Sequence, residues 1–204
     1  SWASFTTATL LALFLATKFV SPSAAVPNSD GGDLLRVPQG FEVRAYLPEG
    51  IFRPTSIAFG TNDRLFVGTS EGIVTTFIDT DSDGLADSSK FFANTQVPTL
   101  GLAIEGDGRT VYVAGGGQVT KFEDQDLNGS PDTDTIITQG LSSFVYDSHS
   151  NNGIAIGPNG KLYLTLGGTS DHGPERHPLT GSILEANTDG SDTRIFASGL
   201  RNPY

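Results

Sequence analysis

The 204-residue chain contains neither cysteine nor methionine. Without cysteine, disulfide bonds are excluded. The absence of methionine leaves no natural start, so we expect the sequence to begin inside a longer protein. Basic residues are also scarce, because 12 Lys and Arg stand against 23 Asp and Glu and the net charge is −11. With no basic stripe to neutralise phosphates, the chain is not expected to bind nucleic acid.

The first residues have a different composition from the rest. Residues 9–20 are almost all apolar and are followed by small residues at 21–25. This run is shorter than the roughly 20 apolar residues of a membrane-spanning helix and is typical of a secretory signal. We therefore expect residues 1–33 to be a signal-peptide-like segment and linker, and the protein to be secreted or periplasmic. Membrane contact is expected only if this segment stays uncleaved.

Residues 34–204 contain a threefold repeat. Two apolar strands joined by an Asn-Asp, Asp-Gly or Asn-Gly turn recur from Pro54, Pro98 and Asn151, and a Gly-led third strand and a short fourth strand follow each copy. Four strands repeating every 40 to 50 residues or so are typical of β-propeller blades. We predict an all-β fold with three four-stranded blades and a leading strand at Phe41–Tyr46. Three blades cannot close a ring, so we expect the first half of a larger propeller.

Two acidic loops follow the third strand of the first and second repeats. Their patterns are D-x-D-x-D-G-x-x-D and D-x-D-x-N-G-x-x-D, and alternating carboxylates around a glycine turn suit Ca²⁺. The candidate ligands are Asp79, Asp81, Asp83 and Asp87 in the first loop and Asp124, Asp126, Asn128 and Asp132 in the second. They are not EF-hands, because Lys90 and Thr135 stand where a bidentate Glu belongs. The alternative is that Asp and Asn serve only to turn the chain.

The third repeat carries all three histidines. His149 comes just before its first strand, in a loop that a propeller places at the mouth of the central channel. A neutral imidazole there can accept a proton near physiological pH. His172 and His177 lie in a connection, residues 167–179, that is roughly ten residues longer than its counterpart after Gly68. A loop enlarged in one blade alone is more often functional than not.

Several of these segments together resemble a known family. PQGFEVRAYL, RPTSIAF, RLFVG, DTDSDGLAD, SHSNNGIAIGPNGKLYLTLGG, GSILEANTDGSD and ASGLRNPY are similar to the glucose/sorbosone dehydrogenase family, over residues 34–204. The resemblance implies a secreted six-bladed propeller that oxidises a sugar with pyrroloquinoline quinone (PQQ) and calcium. It also implies a small-molecule sugar substrate and an external electron acceptor.

The resemblance assigns roles to four residues. It makes His149 the general base and places Arg201 and Asn202 against the cofactor and its developing negative charge. Gln96 matches a cofactor contact more weakly, because the following Val97 and Pro98 depart from the family pattern. The family often has a carboxylate directly before the histidine, where this sequence has a serine, so the partner that orients His149 is left open.

We therefore expect a PQQ-dependent sugar oxidoreductase, with activity in the full-length parent, because the remaining cofactor contacts of the family would follow Tyr204. One alternative is a non-catalytic propeller that binds a ligand or a protein, since fold does not imply function. The other is a metal-dependent, lactonase-like hydrolase with acidic and Asn side chains at the channel floor. The acidic loops lie between outer strands, which disfavours the hydrolase.

Overall fold

The structure is a computed structural model, and it describes residues 38–40, 44–47, 50–61, 63–142, 149, 151–170 and 172–204. The chain divides into residues 1–44 and 45–204, and the fold below belongs to the second unit. The predicted signal segment, residues 1–33, lies outside the described residues. Over the described ranges, the structure contains no helix that is long and apolar enough to span a membrane.

The described chain forms three four-stranded antiparallel sheets, as predicted for propeller blades. The first blade contains β1 (Pro54–Phe59), β2 (Leu65–Thr69), β3 (Ile73–Ile78) and β4 (Ser88–Asn94). The second contains β5 (Gly101–Ile104), β6 (Thr110–Gly115), β7 (Gln118–Glu123) and β8 (Thr133–Gln139). The third contains β9 (Asn151–Ile156), β10 (Leu162–Leu166), β11 (Ser182–Ala186) and β12 (Arg194–Ser198). Strand order in each sheet follows the sequence.

The predicted turns between first and second strands have the backbone that their residues favour. Asp63, Gly108 and Gly160 have φ values of 55°, 76° and 73°, in the left-handed region that Gly and Asp tolerate. Each blade also has a register shift between its third and fourth strands, after Val74, Val119 and Ile183. A bulge at the same place in all three sheets increases the local twist of the outer strand.

The blades stack face to face, and their first strands are the inner ones, because β5 contacts both β1 and β9. One apolar core lies between the first and second blades and includes Phe66, Phe92 and Phe122, whose rings meet edge to face at 5.1 and 6.0 Å. Another lies between the second and third blades, around Tyr112 and Leu164. Large side chains on both facing sheets therefore fix how neighbouring blades sit.

Each blade has two ends with different connections. We call the end where the first strand begins the top end; the turn from second to third strand and the link to the next blade lie there. At the bottom end lie the first turn and the loop from third to fourth strand. The registers show this directly, since Pro54 pairs with Thr69 and Ile73 pairs with Asn94 at the top of the first blade.

The segment before the first blade covers part of its outer face. Tyr46, Leu47 and Ile51 pack against a cluster that includes Leu65 and Val67, and the amide of Ala86 donates to the Tyr46 carbonyl at 2.8 Å. The predicted leading strand, Phe41–Tyr46, lies partly outside the described residues, and its described residues, 44–46, are not in a strand.

Candidate functional site

The three blades leave their outer strands through the same hydrogen bond at the top end. Thr95, Leu141 and Leu200 each donate a backbone N–H to the carbonyl of Gly72, Gly117 and Gly181, at 2.9, 3.0 and 2.9 Å. All three glycines have positive φ, which a side chain would strain. The residues that follow the donors, Gln96, Ser142 and Arg201, therefore occupy equivalent positions. Two of the predicted cofactor contacts thus lie at matching places, two blades apart.

The backbone around Gln96 is held tightly. Its φ is 57°, and its N–H donates to Asn94 Oδ1 at 2.8 Å. The next residue, Val97, packs between two turns that have glycine at the contact: a Cβ on Gly72 would lie 2.5 Å from the Val97 carbonyl oxygen, and one on Gly116 would overlap the Val97 side chain. The glycines therefore set the position of Gln96, whose side chain is exposed at the top end.

His149 lies against the top of the third blade. A Cβ on Gly167 would overlap the Cβ of His149 and would lie 3.0 Å from Asn202 Oδ1, so the absence of a side chain lets these residues meet. Both imidazole nitrogens of His149 are buried and have no hydrogen-bond partner among the described residues. Unpaired buried nitrogens are uncommon in folded proteins and are a sign of a functional group.

Arg201 and Asn202 reach the same place from the end of β12. The Arg201 carbonyl accepts the N–H of Gly168 at 2.7 Å, which ties this segment to the top of β10. Asn202 is half-buried, and its Nδ2 donates to Tyr204 Oη at 3.2 Å. The structure therefore brings together His149, Arg201 and Asn202 around two successive glycines, although more than fifty positions separate the histidine from the other two.

Glu175, which the sequence analysis did not single out, lies beside this group. Its Oε2 accepts hydrogen bonds from the Thr169 N–H at 2.7 Å, from Thr169 Oγ1 at 2.9 Å and from Thr180 Oγ1 at 2.7 Å. The Thr169 amide lowers the pKa of the Glu175 carboxyl most, and the two hydroxyls and the nearby His149 lower it further. The only signal in the sequence was the enlarged connection that contains it.

The other histidine positions of that connection organise its backbone. The His177 carbonyl accepts from the Thr180 N–H at 3.2 Å, and its Nδ1 accepts from the Leu179 N–H at 3.3 Å. The side chain of His172 is exposed. Within the described part of this connection, Glu175 is therefore the group that the pKa shift links to His149.

The two acidic loops have the same conformation at the bottom end. The carboxylates of Asp79 and Asp124 each accept two backbone N–H groups of their own loop, including that of the following turn glycine at 2.9 and 2.8 Å. Carboxylate oxygens within 4.8 Å of one another come from three residues per loop: Asp79, Asp81 and Asp87, then Asp124, Asp126 and Asp132. These groups could hold a cation.

The remaining two predicted ligands are engaged in turning the chain. Asp83 Oδ1 accepts the N–H of Leu85 at 2.8 Å, and Asn128 Oδ1 accepts that of Ser130 at 2.9 Å. Both are bonds to the residue two positions later, as the turn interpretation of these loops describes.

The second loop is also capped by side chains of the first blade. Arg64 Nη1 lies 3.6 Å from Asp124 Oδ2, and its Nη2 donates to the Leu127 carbonyl at 3.2 Å. Lys90 Nζ donates to the Asn128 carbonyl at 2.7 Å. Asp124 is only 1% exposed, so this pair is largely shielded from water. The loop therefore joins two blades as well as offering carboxylates.

The acidic loops and the histidine group lie at opposite ends of the blades. The strands between them have about six residues, or roughly 20 Å at the rise of a β-strand. A cation in either loop would therefore be too far away to act on a molecule bound near His149. The structure separates a possible structural metal site from a possible reaction site.

A family profile described as Domain of unknown function (DUF7133) matches residues 29–198. No curated protein matches the sequence.

Solved structures share the fold. The PQQ domain of pyranose dehydrogenase from Coprinopsis cinerea, in its holo form, superposes with a TM-score of 0.71 at 19% identity, over 82% of this chain and 43% of that chain. The calcium structure of a carbohydrate-active enzyme of family AA12 from Trichoderma reesei gives 0.60 at 18% identity, over 77% and 39%. A glucose dehydrogenase gives 0.56 at 19% identity, over 76% and 57%. The chain thus spans between 39 and 57% of these chains.

Proposed function

Since this chain belongs to the family described as Domain of unknown function (DUF7133), whose description states no chemistry, we propose from the geometry that the whole protein is a sugar oxidoreductase that uses PQQ. The observation that carries this proposal is the convergence of His149, Arg201 and Asn202 at the top of the third blade. Support comes from the fold, which this chain shares with a PQQ domain and with a glucose dehydrogenase.

The residues present fit such a cofactor and substrate. Buried nitrogens of His149 that lack a partner among the described residues are suited to accept a proton from a substrate hydroxyl. Arg201 supplies a permanent positive charge, and Asn202 can donate from its amide. Gln96 is a further polar side chain at the top end, at the position equivalent to Arg201. We propose that Arg201, Asn202 and Gln96 hold the cofactor.

The chemical role of each group follows from its type. PQQ, when bound, supplies a two-electron acceptor for the hydride that leaves the sugar carbon. His149 removes the proton from the hydroxyl on that carbon, so that a C=O bond forms as the C–H bond breaks. The guanidinium of Arg201 stabilises negative charge as it develops near the cofactor. An external electron acceptor must then reoxidise the cofactor.

We further propose that each acidic loop binds one Ca²⁺ with a structural role. Three carboxylates with oxygens within 4.8 Å repel one another, and a bound cation would remove this repulsion. The loops' place at the bottom end also disfavours the hydrolase alternative, because the described residues contain no other group of three such side chains.

The test of the oxidoreductase is dye reduction by the full-length protein, reconstituted with PQQ and calcium and scanned over a panel of sugars. We expect His149→Ala to lower turnover by about 10²- to 10⁴-fold while PQQ still binds, because a general base contributes about that much. Arg201→Ala should weaken both turnover and PQQ binding.

Two results would contradict the proposal. If no sugar is oxidised and no PQQ is retained after gel filtration, the protein is a binding propeller rather than this enzyme. If His149→Ala retains normal turnover, the enzyme stands but its base is a different residue.

A further inference from the structure

The carboxylate of Glu175 is held in one orientation beside the reaction site. Its Oε2 accepts from the Thr169 N–H, Thr169 Oγ1 and Thr180 Oγ1, at 2.7 to 2.9 Å. Thr169 and Thr180 are 4% and 6% exposed, so the anchoring groups are themselves fixed by burial. Thr169 Oγ1 also accepts the Arg176 N–H at 2.8 Å, which closes the loop around the carboxylate. Three donors on one oxygen leave the other oxygen, Oε1, to face elsewhere.

That second oxygen lies in space that glycine leaves open. A Cβ on Gly168 would be 2.7 Å from Glu175 Oε1 and 3.4 Å from the Arg201 carbonyl. The adjacent Gly167 leaves room in the same way for His149 and Asn202. Two successive residues without side chains thus let the acid, the histidine and the Arg201–Asn202 segment approach the same short stretch of backbone.

The histidine needs a partner. Neither of its ring nitrogens has a hydrogen-bond partner in the described part of the chain, and the preceding residue in the sequence is a serine. Catalytic imidazoles are commonly oriented by a carboxylate that also stabilises the imidazolium. The electrostatic interaction with His149 contributes to the lowered pKa of Glu175, which shows that the two groups are near enough to affect each other.

We propose that Glu175 is the positioning residue of His149: held by Thr169 and Thr180, its carboxylate orients the imidazole and stabilises the imidazolium formed when His149 takes a proton. This inference rests on the proposed function, in which His149 is the base. Glu175 touches neither substrate nor cofactor in this scheme. The enlarged connection of the third blade thereby has a purpose, which is to bring a carboxylate back over the top of β10.

The first experiment compares variants of the full-length protein reconstituted with PQQ and calcium. Glu175→Gln keeps the size of the side chain and removes its charge, and kcat should fall about 10- to 100-fold, as for other groups that orient a functional side chain. PQQ affinity and KM should stay within about twofold of wild type, because Glu175 contacts neither ligand. A simple loss of folding would instead lower all three and the melting temperature.

Two matched controls accompany that variant. Glu71→Gln changes an exposed acid in the equivalent turn of the first blade, where its partner is Arg53 at 3.2 Å, and kcat should not change. Thr180→Val removes one donor to Oε2 and should lower kcat, whereas Thr180→Ser keeps the hydroxyl and should restore it. The proposal is overturned if Glu175→Gln has the kcat of Glu71→Gln.

The second experiment needs no cofactor. Carboxyl ¹³C NMR of the glutamates follows the pKa of Glu175 in the wild type and in His149→Gln. Loss of the favourable charge interaction should move the Glu175 pKa upward, towards its ordinary value, while the Glu71 signal in the same spectra serves as an internal control. An unchanged Glu175 titration would overturn the pairing. If the wild type oxidises no sugar, the proposed function fails, and this measurement alone decides whether the pair exists.

Discussion

At the scale of single residues, the site is shaped by side chains that are missing. Gly167 and Gly168 end the second strand of the third blade, and His149, Asn202 and Glu175 all come close to them. Packing of this kind leaves no spare volume, so even one methyl group must displace a neighbour. The residues proposed to react are therefore positioned by backbone that approaches backbone.

This leads to a prediction for Gly167→Ala. The added methyl group would overlap the Cβ of His149, and we expect a loss of about 1–3 kcal/mol in the free energy of unfolding, the usual cost of overpacking. Turnover of the reconstituted full-length protein should also fall, because the imidazole must move. Urea denaturation and dye reduction are the measurements.

Gly173→Ala is the matched control, since it lies in the same connection and its Cβ would come no closer than 3.6 Å to Ser170. We expect this variant to have wild-type stability and turnover. Equal effects of the two substitutions would contradict the packing argument.

At the scale of elements, the acidic loops are repeated units with internal hydrogen bonds. Hydrogen bonds from the Thr80 side chain and amide lower the pKa of Asp87, and those from Asn128 lower the pKa of Asp126. Because these folded-state pKa values lie below the ordinary ones, the unfolded chain binds protons more readily. The stabilisation they contribute is therefore present above about pH 4, the ordinary carboxyl range, and is lost as the pH falls through the folded-state values.

The loop prediction concerns calcium. Calorimetric titration should show Ca²⁺ binding to the wild type, and a chelator should lower its melting temperature at neutral pH. Asp81→Ala combined with Asp126→Ala should abolish both effects, whereas Asp134→Asn, an acid outside both carboxylate groups, should leave them intact. A melting temperature that is unaffected by the chelator would mean that the loops are only turns.

At the scale of the whole described fold, the middle blade is covered on both faces, whereas the outer faces of the first and third blades are exposed. Phe59 is 64% exposed on one of these faces and Phe196 is 61% exposed on the other. The face of the third blade also forms a cavity of about 410 Å³ that Tyr163, Ile183, Phe196 and Tyr204 help to line. Contiguous exposed apolar surface favours association.

We therefore predict that these 204 residues, expressed alone, bind a hydrophobic dye and self-associate at micromolar concentration. Phe59→Ser combined with Phe196→Ser should reduce both effects, as measured by fluorescence and analytical ultracentrifugation. Ile136→Ser is the control, because Ile136 is 50% exposed on the outer strand of the middle blade, away from the two end faces. A monomeric wild type that does not bind the dye would contradict the prediction.

The sequence by itself determined the strands, the turns and the two acidic loops, because these depend on alternation and turn chemistry within a few residues. It also singled out His149, Arg201 and Asn202 through a family resemblance, but it carried no signal that Glu175 lies beside the histidine. Only the tertiary structure decided that these groups meet around Gly167 and Gly168 and that the acidic loops lie at the opposite end. The physical reason is that a glycine's sequence context does not reveal what packs into the space it leaves, which depends on contacts between segments far apart in the chain.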